Sequence, residues 1–425
     1  MRVRLEYGKN GLEAELPDAN LVGVLKLTPA PPLADPVAAA RAALARPIGA
    51  SPLSELARGR RNACVVVCDV TRPVPNPLLL PPLLDALAEG GLKREDVSIL
   101  IATGTHRPNE GAELDAMLGP EIVRTCRIVN HVCTDRAAHR FFGVTPNGVP
   151  VHLDRTYCDA DLKVTVGLIE PHFMAGYSGG RKMVMPGIAA LETVQAWHSP
   201  RFLEHPRATN GVLDGNPVHA ENLAIAKLVP PDLIVDVTLD EANRITGVFA
   251  GDLERAWQTG VAFVEKHVRV PVAEPVDVVV TTGAGAPLDA TFYQAVKGMV
   301  GALPIVKPGG SIVIAAACSE GVGGPDFTRT LLETEDLPGL VEAMQRPGWA
   351  PIPDQWQVEE LAKAVRRNDV LCVCDGIAPD TLARLFVTPA ATVEDGLARA
   401  LARHGPASTL AAIPKGPYVI PYLAQ

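Results

Sequence analysis

Short, uninterrupted runs of aliphatic and β-branched residues limit what this chain can become. They read ACVVVCD at 63–69, VSILIATG at 97–104, DLKVTVGL at 161–168 and LIVDVTLD at 233–240. A strand with one wet face alternates apolar and polar residues, whereas a strand covered on both faces reads as a continuous apolar run. Each run is followed by a turn and a helix-compatible stretch, such as NPLLLPPLLDALAEGG (76–91) or ENLAIAKLV (221–229). The pattern predicts an α/β fold with mainly parallel sheets. It pauses at KHVRVPVAEPVD (266–277), then resumes with VDVVVTTGAG (276–285), SIVIAAAC (311–318) and DVLCVCDG (369–376). At 425 residues the chain exceeds the size at which one core stops growing, roughly 250–300 residues. We therefore expect two α/β domains, 1–270 and 271–425, with an active-site cleft between them.

The remaining composition narrows the function. A formal charge of −9 and an aromatic content of 4% argue against a nucleic-acid partner. The basic cluster ARGRR (57–61) reads as a solvated helix end. The N-terminus alternates, turns at Asn10-Gly11 and alternates again, which predicts a hairpin and not a signal peptide. No apolar stretch reaches the roughly 18 residues of a membrane span, so a cytoplasmic protein is expected. The eight cysteines lack zinc or redox spacing and read mostly as buried small hydrophobes. The segment 29–47 reads as a loop leading into a helix.

Unusual polar residues fall just past the strand ends, where doubly wound sheets bind ligands. Asp69 and Arg72 follow the first run, His106 the second and His172 the third. Each has an ordinary explanation as a cap, turn former or surface pair, but three strand ends aimed at one rim point to a shared site. His172 itself lies in GLIEPHFMAGYSGGRKMVMPG (167–187), glycine-rich with a lysine at Lys182. It is not a Walker loop, because Arg181 and Met183 flank the lysine where Gly and Ser or Thr are required. His198, in QAWHSP, has no ligand partners at zinc spacing; on its own it reads equally well as packing beside Trp197. Later, Gln294 and Lys297 share a helical face, with Asp289 as a candidate cap.

Taken in order, CDVTRP, TGTHRP, EPHFMAGYSGGRK, AWHSP and YQAVKG resemble the lactate racemase family that uses a nickel-pincer nucleotide, with weaker similarity at PDQWQ (353–357). The resemblance implies a cofactor, pyridinium-3-thioamide-5-thiocarboxylic acid mononucleotide with Ni(II), tethered to Lys182, with His198 as the sole protein ligand to nickel. It implies His106 and His172 as the paired bases of a 2-hydroxy acid racemase, and Arg72, Lys297, Gln294 and Tyr293 around the substrate. Trp356 would wall the pocket. Asp69 would position Arg72 or a cofactor hydroxyl. Ser178, Gly179 and Gly180 would approach the mononucleotide. The implied partners are a short, lactate-like 2-hydroxy acid and the enzymes that make the cofactor. A C2 epimerase of longer sugar acids and a zinc hydrolase built on His106, His172 and His198 are the alternatives, with a non-catalytic carrier on the same fold as a third.

Overall fold

The computed structural model describes residues 1–424. Two six-stranded sheets carry the chain. In the first, the order is Ile245–Gly251, Leu233–Leu239, Leu162–Leu168, Ala63–Cys68, Val97–Ala102 and Arg127–Asn130. Its pairs are parallel except at the edge, where Ile245–Gly251 runs antiparallel to Leu233–Leu239. The central strand Ala63–Cys68 is buried at every position, as its unbroken apolar run predicts. Helices such as Asn76–Glu89 and Arg255–Val268 supply apolar faces to the same core.

The second sheet runs Thr388–Ala390, Asp369–Val373, Val306–Ala315, Val276–Thr282, Leu410–Ala412 and Leu21–Val24, with every pair parallel. Its last strand corrects the expected division of the chain. The sequence reading put residues 1–270 together, yet Leu21–Val24 completes the sheet of the second half. The Arg2–Leu5/Leu12–Glu15 hairpin, expected from its alternation, covers that sheet too. Val3, Leu5, Ala14 and Leu16 share a core with Val278, Val280 and Val313. The cause is hydrophobic: the inward face of the hairpin has apolar partners only on the second sheet. The exchange is mutual, because Trp356 of the second half is buried in the first core.

Strand order also creates the site. From Ala63–Cys68 the chain moves outward to Val97–Ala102 and Arg127–Asn130, then returns on the opposite side with Leu162–Leu168. The reversal leaves a crevice between the ends of Ala63–Cys68 and Leu162–Leu168, the usual ligand position in such sheets. Two cysteines of the central strand, Cys64 and Cys68, are buried and unpaired, as are the chain's other cysteines in regard to disulfides.

Candidate active site

The strands that lead to His106 and His172, Val97–Ala102 and Leu162–Leu168, flank Ala63–Cys68, which leads to Asp69 and Arg72, so the two histidine loops leave the sheet on either side of the Asp69–Arg72 loop. Asp69 is buried, and its Oδ2 lies 2.7 Å from Nδ1 of the half-exposed His106. Burial alone would raise the Asp69 pKa. The hydrogen bond and charge of His106, with help from Thr71 and Arg72, outweigh it and lower the pKa. Asp69 therefore stays ionised and holds His106 as the Nδ1–H tautomer, leaving the Nε2 lone pair free. Arg72 pairs with Glu170 at 3.2 Å, across the crevice, and the charge of Asp69 also acts on it.

His172 is wired in the opposite sense. Its Nδ1 accepts long hydrogen bonds from the backbone N–H groups of Met174 (3.3 Å) and Ala175 (3.2 Å), so the proton of a neutral ring resides on Nε2. Burial, then the charges of Lys182, Lys297, Arg72 and His198, push its pKa well below the ordinary histidine value. Its ring stacks on Phe173, 5.2 Å between centroids. Phe173 packs against the cores of both halves and carries Lys297 Nζ 5.5 Å above its ring. Sequence reasoning missed Phe173 and Glu170, although both lie within the EPHF segment it singled out.

The glycine bed is held by its backbone conformation and by its protein neighbours. Gly179 and Gly180 have φ of +72° and +50°, which L side chains resist. A Cβ on Gly180 would meet Trp257 at 2.8 Å, and one on Gly179 would meet Ile169 at 2.9 Å. Protein atoms thus occupy the side-chain direction of both glycines, a requirement separate from the approach of their backbone to a mononucleotide. The hydroxyl of Ser178 is likewise committed: it donates to Leu168 O (2.6 Å) and accepts from Glu170 N (2.9 Å). Gly180 N donates to the buried Asp236 at 2.8 Å. The segment is a rigid turn whose product is the position of Lys182.

The side-chain amine of Lys182 makes no hydrogen bond or ion pair among the described residues; its Nζ lies 5.1 Å from the Trp197 ring. Burial, then the charges of Arg181, Arg72 and Lys297, hold its pKa well below that of a free amine. His198 lies between Trp197 and Trp356, at centroid distances of 4.2 and 4.8 Å. Its Nδ1 is buried with no partner, and burial followed by Lys182 keeps the ring neutral. An unpartnered neutral imidazole beside an amine whose charged form is disfavoured fits a metal ligand and a covalent anchor, and has no obvious structural purpose. His106, His172 and His198, by contrast, do not gather closely enough to share one ion through their own side chains, which removes the zinc hydrolase alternative.

The second half closes over this ground. In helix Phe292–Ala302, Thr291 caps the N-terminus, not Asp289 as expected; Asp289 instead accepts from Gly8 N and Ala317 N. Gln294 leaves a buried, unpartnered Oε1. Trp356 Nε1 donates to the Tyr293 hydroxyl at 2.9 Å, linking the PDQWQ segment to the helix and, through the indole, to His198. Lys297 is lowered to about 7 by burial and by Arg72, with Glu170 opposing. A separate cavity of about 480 Å³ opens behind Glu170, and none of the candidate histidines lines it. Among the described residues, no helix is long and apolar enough to cross a membrane.

Known proteins share this arrangement over the whole chain. Residues 7–211 match the lactate racemase N-terminal domain and 272–420 the lactate racemase C-terminal domain. The lactate racemase of Lactiplantibacillus plantarum is 36% identical over 422 residues, covering 98% of this chain and 99% of the relative. That of Thermoanaerobacterium thermosaccharolyticum is 35% identical over 421 residues, with 98% of each chain covered. The solved apoprotein structure of a Thermoanaerobacterium thermosaccharolyticum lactate racemase superposes with a TM-score of 0.94 at 34% identity, covering all of both chains. A Thermotoga maritima structure shares the fold at 20% identity and a TM-score of 0.66, covering 88% of this chain and 96% of that one. This chain is an isomerase that belongs to the lactate racemase family.

Proposed function

We propose that the enzyme interconverts the enantiomers of lactate, or of a 2-hydroxy acid of similar length, with a nickel-pincer nucleotide anchored on Lys182 and ligated by His198. The observation that carries this reading is the pair of oppositely wired imidazoles on either side of Arg72, beside an amine and an imidazole that have no other partner. When bound, the cofactor supplies an electron-poor centre able to take and return a hydride. Everything else is done by the chain.

Arg72, steadied by Glu170, and Lys297 hold the substrate carboxylate. Arg suits a two-point grip, and Lys297 adds a charge from the other half of the cleft. Enantiomers held by the same carboxylate direct their hydroxyls to different sides, so one base per side is required. His106 accepts a hydroxyl proton at Nε2 because Asp69 occupies its Nδ1. On the other side His172 returns a proton from Nε2 only as the doubly protonated ring, since a neutral ring that lost it would be left as imidazolate; taking the second proton at Nδ1 requires it to give up its two long backbone bonds. In the reverse direction the roles exchange, His172 accepting the hydroxyl proton at Nε2 and protonated His106 returning one. Trp356 and Tyr293 screen the cleft from water. Gln294 is available to orient the substrate.

Protein co-produced with the cofactor-making enzymes should convert optically pure L-lactate to an equal mixture, followed by chiral chromatography. Retained optical purity in protein that carries nickel would overturn the reading. Asp69→Asn should lower turnover about 10²-fold or more, since the orienting carboxylate in an analogous triad is worth up to about 10⁴, with nickel content unchanged. Normal turnover in that variant would leave His106 without need of its partner.

The charge on Lys297 gives a pH signature. With a pKa near 7, the amine is charged below that pH and neutral above it. Carboxylate binding should weaken as pH rises, KM climbing by at most about tenfold per pH unit above 7. Lys297→Met should raise KM at low pH and flatten this slope. A KM independent of pH in the wild-type enzyme would exclude Lys297 from the carboxylate grip.

A further inference from the structure

Away from the cleft, the strand pair His139–Val144 and Pro150–Asp154 sets His139 directly opposite Asp154. His131, just beyond strand Arg127–Asn130, meets them. The three side chains are 0%, 3% and 3% exposed, and their ligating atoms all lie within 4.8 Å of one another. The Nε2 atoms of His131 and His139 are 3.0 Å apart.

The hydrogen bonds around them do not allow two contented neutral rings. His139 Nδ1 faces the Asp135 carbonyl at 2.7 Å and must donate to it. The Thr103 hydroxyl lies 2.7 Å from the His131 carbonyl, to which it donates, so at 3.1 Å from His131 Nδ1 it can only accept. Both Nδ1 atoms then carry the hydrogen, and both Nε2 lone pairs point at each other. Something positive belongs between them. A shared proton is poorly suited, because burial and the neighbouring His139 push His131 down to about 3.

We infer that His131, His139 and Asp154 form a second, structural site for a divalent transition ion of the zinc type, independent of His198. Two nitrogens on a tetrahedral zinc with bonds of about 2.0–2.1 Å stand roughly 3.3 Å apart, close to the separation here. Ligating histidines usually donate their other N–H to a backbone carbonyl or similar acceptor, as both do here. One Asp154 oxygen already caps Thr156 N at 2.8 Å; a modest turn of the carboxylate brings the other to the ion and balances part of its charge. The ion would tie the Pro150–Asp154 strand to Thr103, whose carbonyl accepts the backbone N–H of His106 at 2.9 Å. Its role is to stiffen the loop that presents His106. Sequence spacing hides the site, because its members come from three separate segments.

The test uses the full-length chain, produced without added nickel or the cofactor-making enzymes, stripped with chelator and titrated with cobalt(II) chloride while the visible d–d bands are recorded. We expect saturation at one equivalent, displacement of cobalt by zinc, and a higher Tm with zinc present. His139→Gln should abolish uptake and His198→Ala should preserve it. If the unaltered chain takes up no ion, the two imidazoles share a proton and the inference is wrong. Uptake that survives His139→Gln, or disappears in His198→Ala, overturns it equally.

Discussion

His106→Ala and His172→Ala will each lower lactate racemisation by about 10²–10⁴-fold, the usual contribution of a positioned general base or acid. The two losses should be of similar size, and neither should be relieved by the surviving histidine. The two histidines lie on loops that follow strands on opposite sides of Ala63–Cys68, and each is assigned the proton of one enantiomer. The effect should appear in kcat, because neither ring grips the carboxylate. Chiral chromatography on cofactor-loaded protein measures the rate, and elemental analysis confirms that nickel is retained. A variant that turns over like the unaltered enzyme would remove its histidine from the chemistry. Loss of nickel in His172→Ala would move that residue from proton transfer to cofactor binding.

Much of this geometry was legible in the sequence because parallel strands buried on both faces announce themselves as continuous apolar runs. Ala63–Cys68, Val97–Ala102 and Leu162–Leu168 were all visible in this way, and so were the residues just past their ends. What the runs do not encode is pairing. Leu21–Val24 is short and only partly apolar, and its membership of the second sheet depends on a partner nearly four hundred residues away. The same blindness affected polar partners. Asp69-x-x-Arg72 suggested a local pair, whereas each residue prefers a neighbour from another strand end, His106 and Glu170 respectively. The glycines were legible as glycines but not for their purpose. Gly179 and Gly180 are required by positive φ and by Ile169 and Trp257, contacts that no spacing rule reveals.

Replacing Lys182 should have the largest effect of all. Lys182→Ala and Lys182→Arg are both expected to show no detectable racemisation, and to lack the cofactor-sized mass increase that the loaded enzyme should show by intact mass spectrometry. A lysine among Arg181, Arg72 and Lys297, in a largely desolvated pocket, is costly to keep charged, which favours the neutral, nucleophilic form. A structural lysine would have been given a carboxylate; this one has only an indole face at 5.1 Å. A covalent bond from the amine to the cofactor would keep the nitrogen uncharged and so free of repulsion from Arg181, Arg72 and Lys297. The two substitutions divide the possibilities. Arginine keeps a cation at the site but cannot become a neutral nucleophile, so an electrostatic role for Lys182 predicts that Lys182→Arg retains activity, whereas an anchor predicts that it does not. Stability gives a readout independent of the cofactor. Because the folded-state pKa is depressed, protonation favours unfolding, and stability of the unloaded chain should rise with pH towards the ordinary lysine range. Lys182→Met should remove that dependence and melt no lower than the parent at neutral pH. A Lys182→Met chain that melts well below the parent would mean that the amine supports the fold, and the case for a poised anchor would fail.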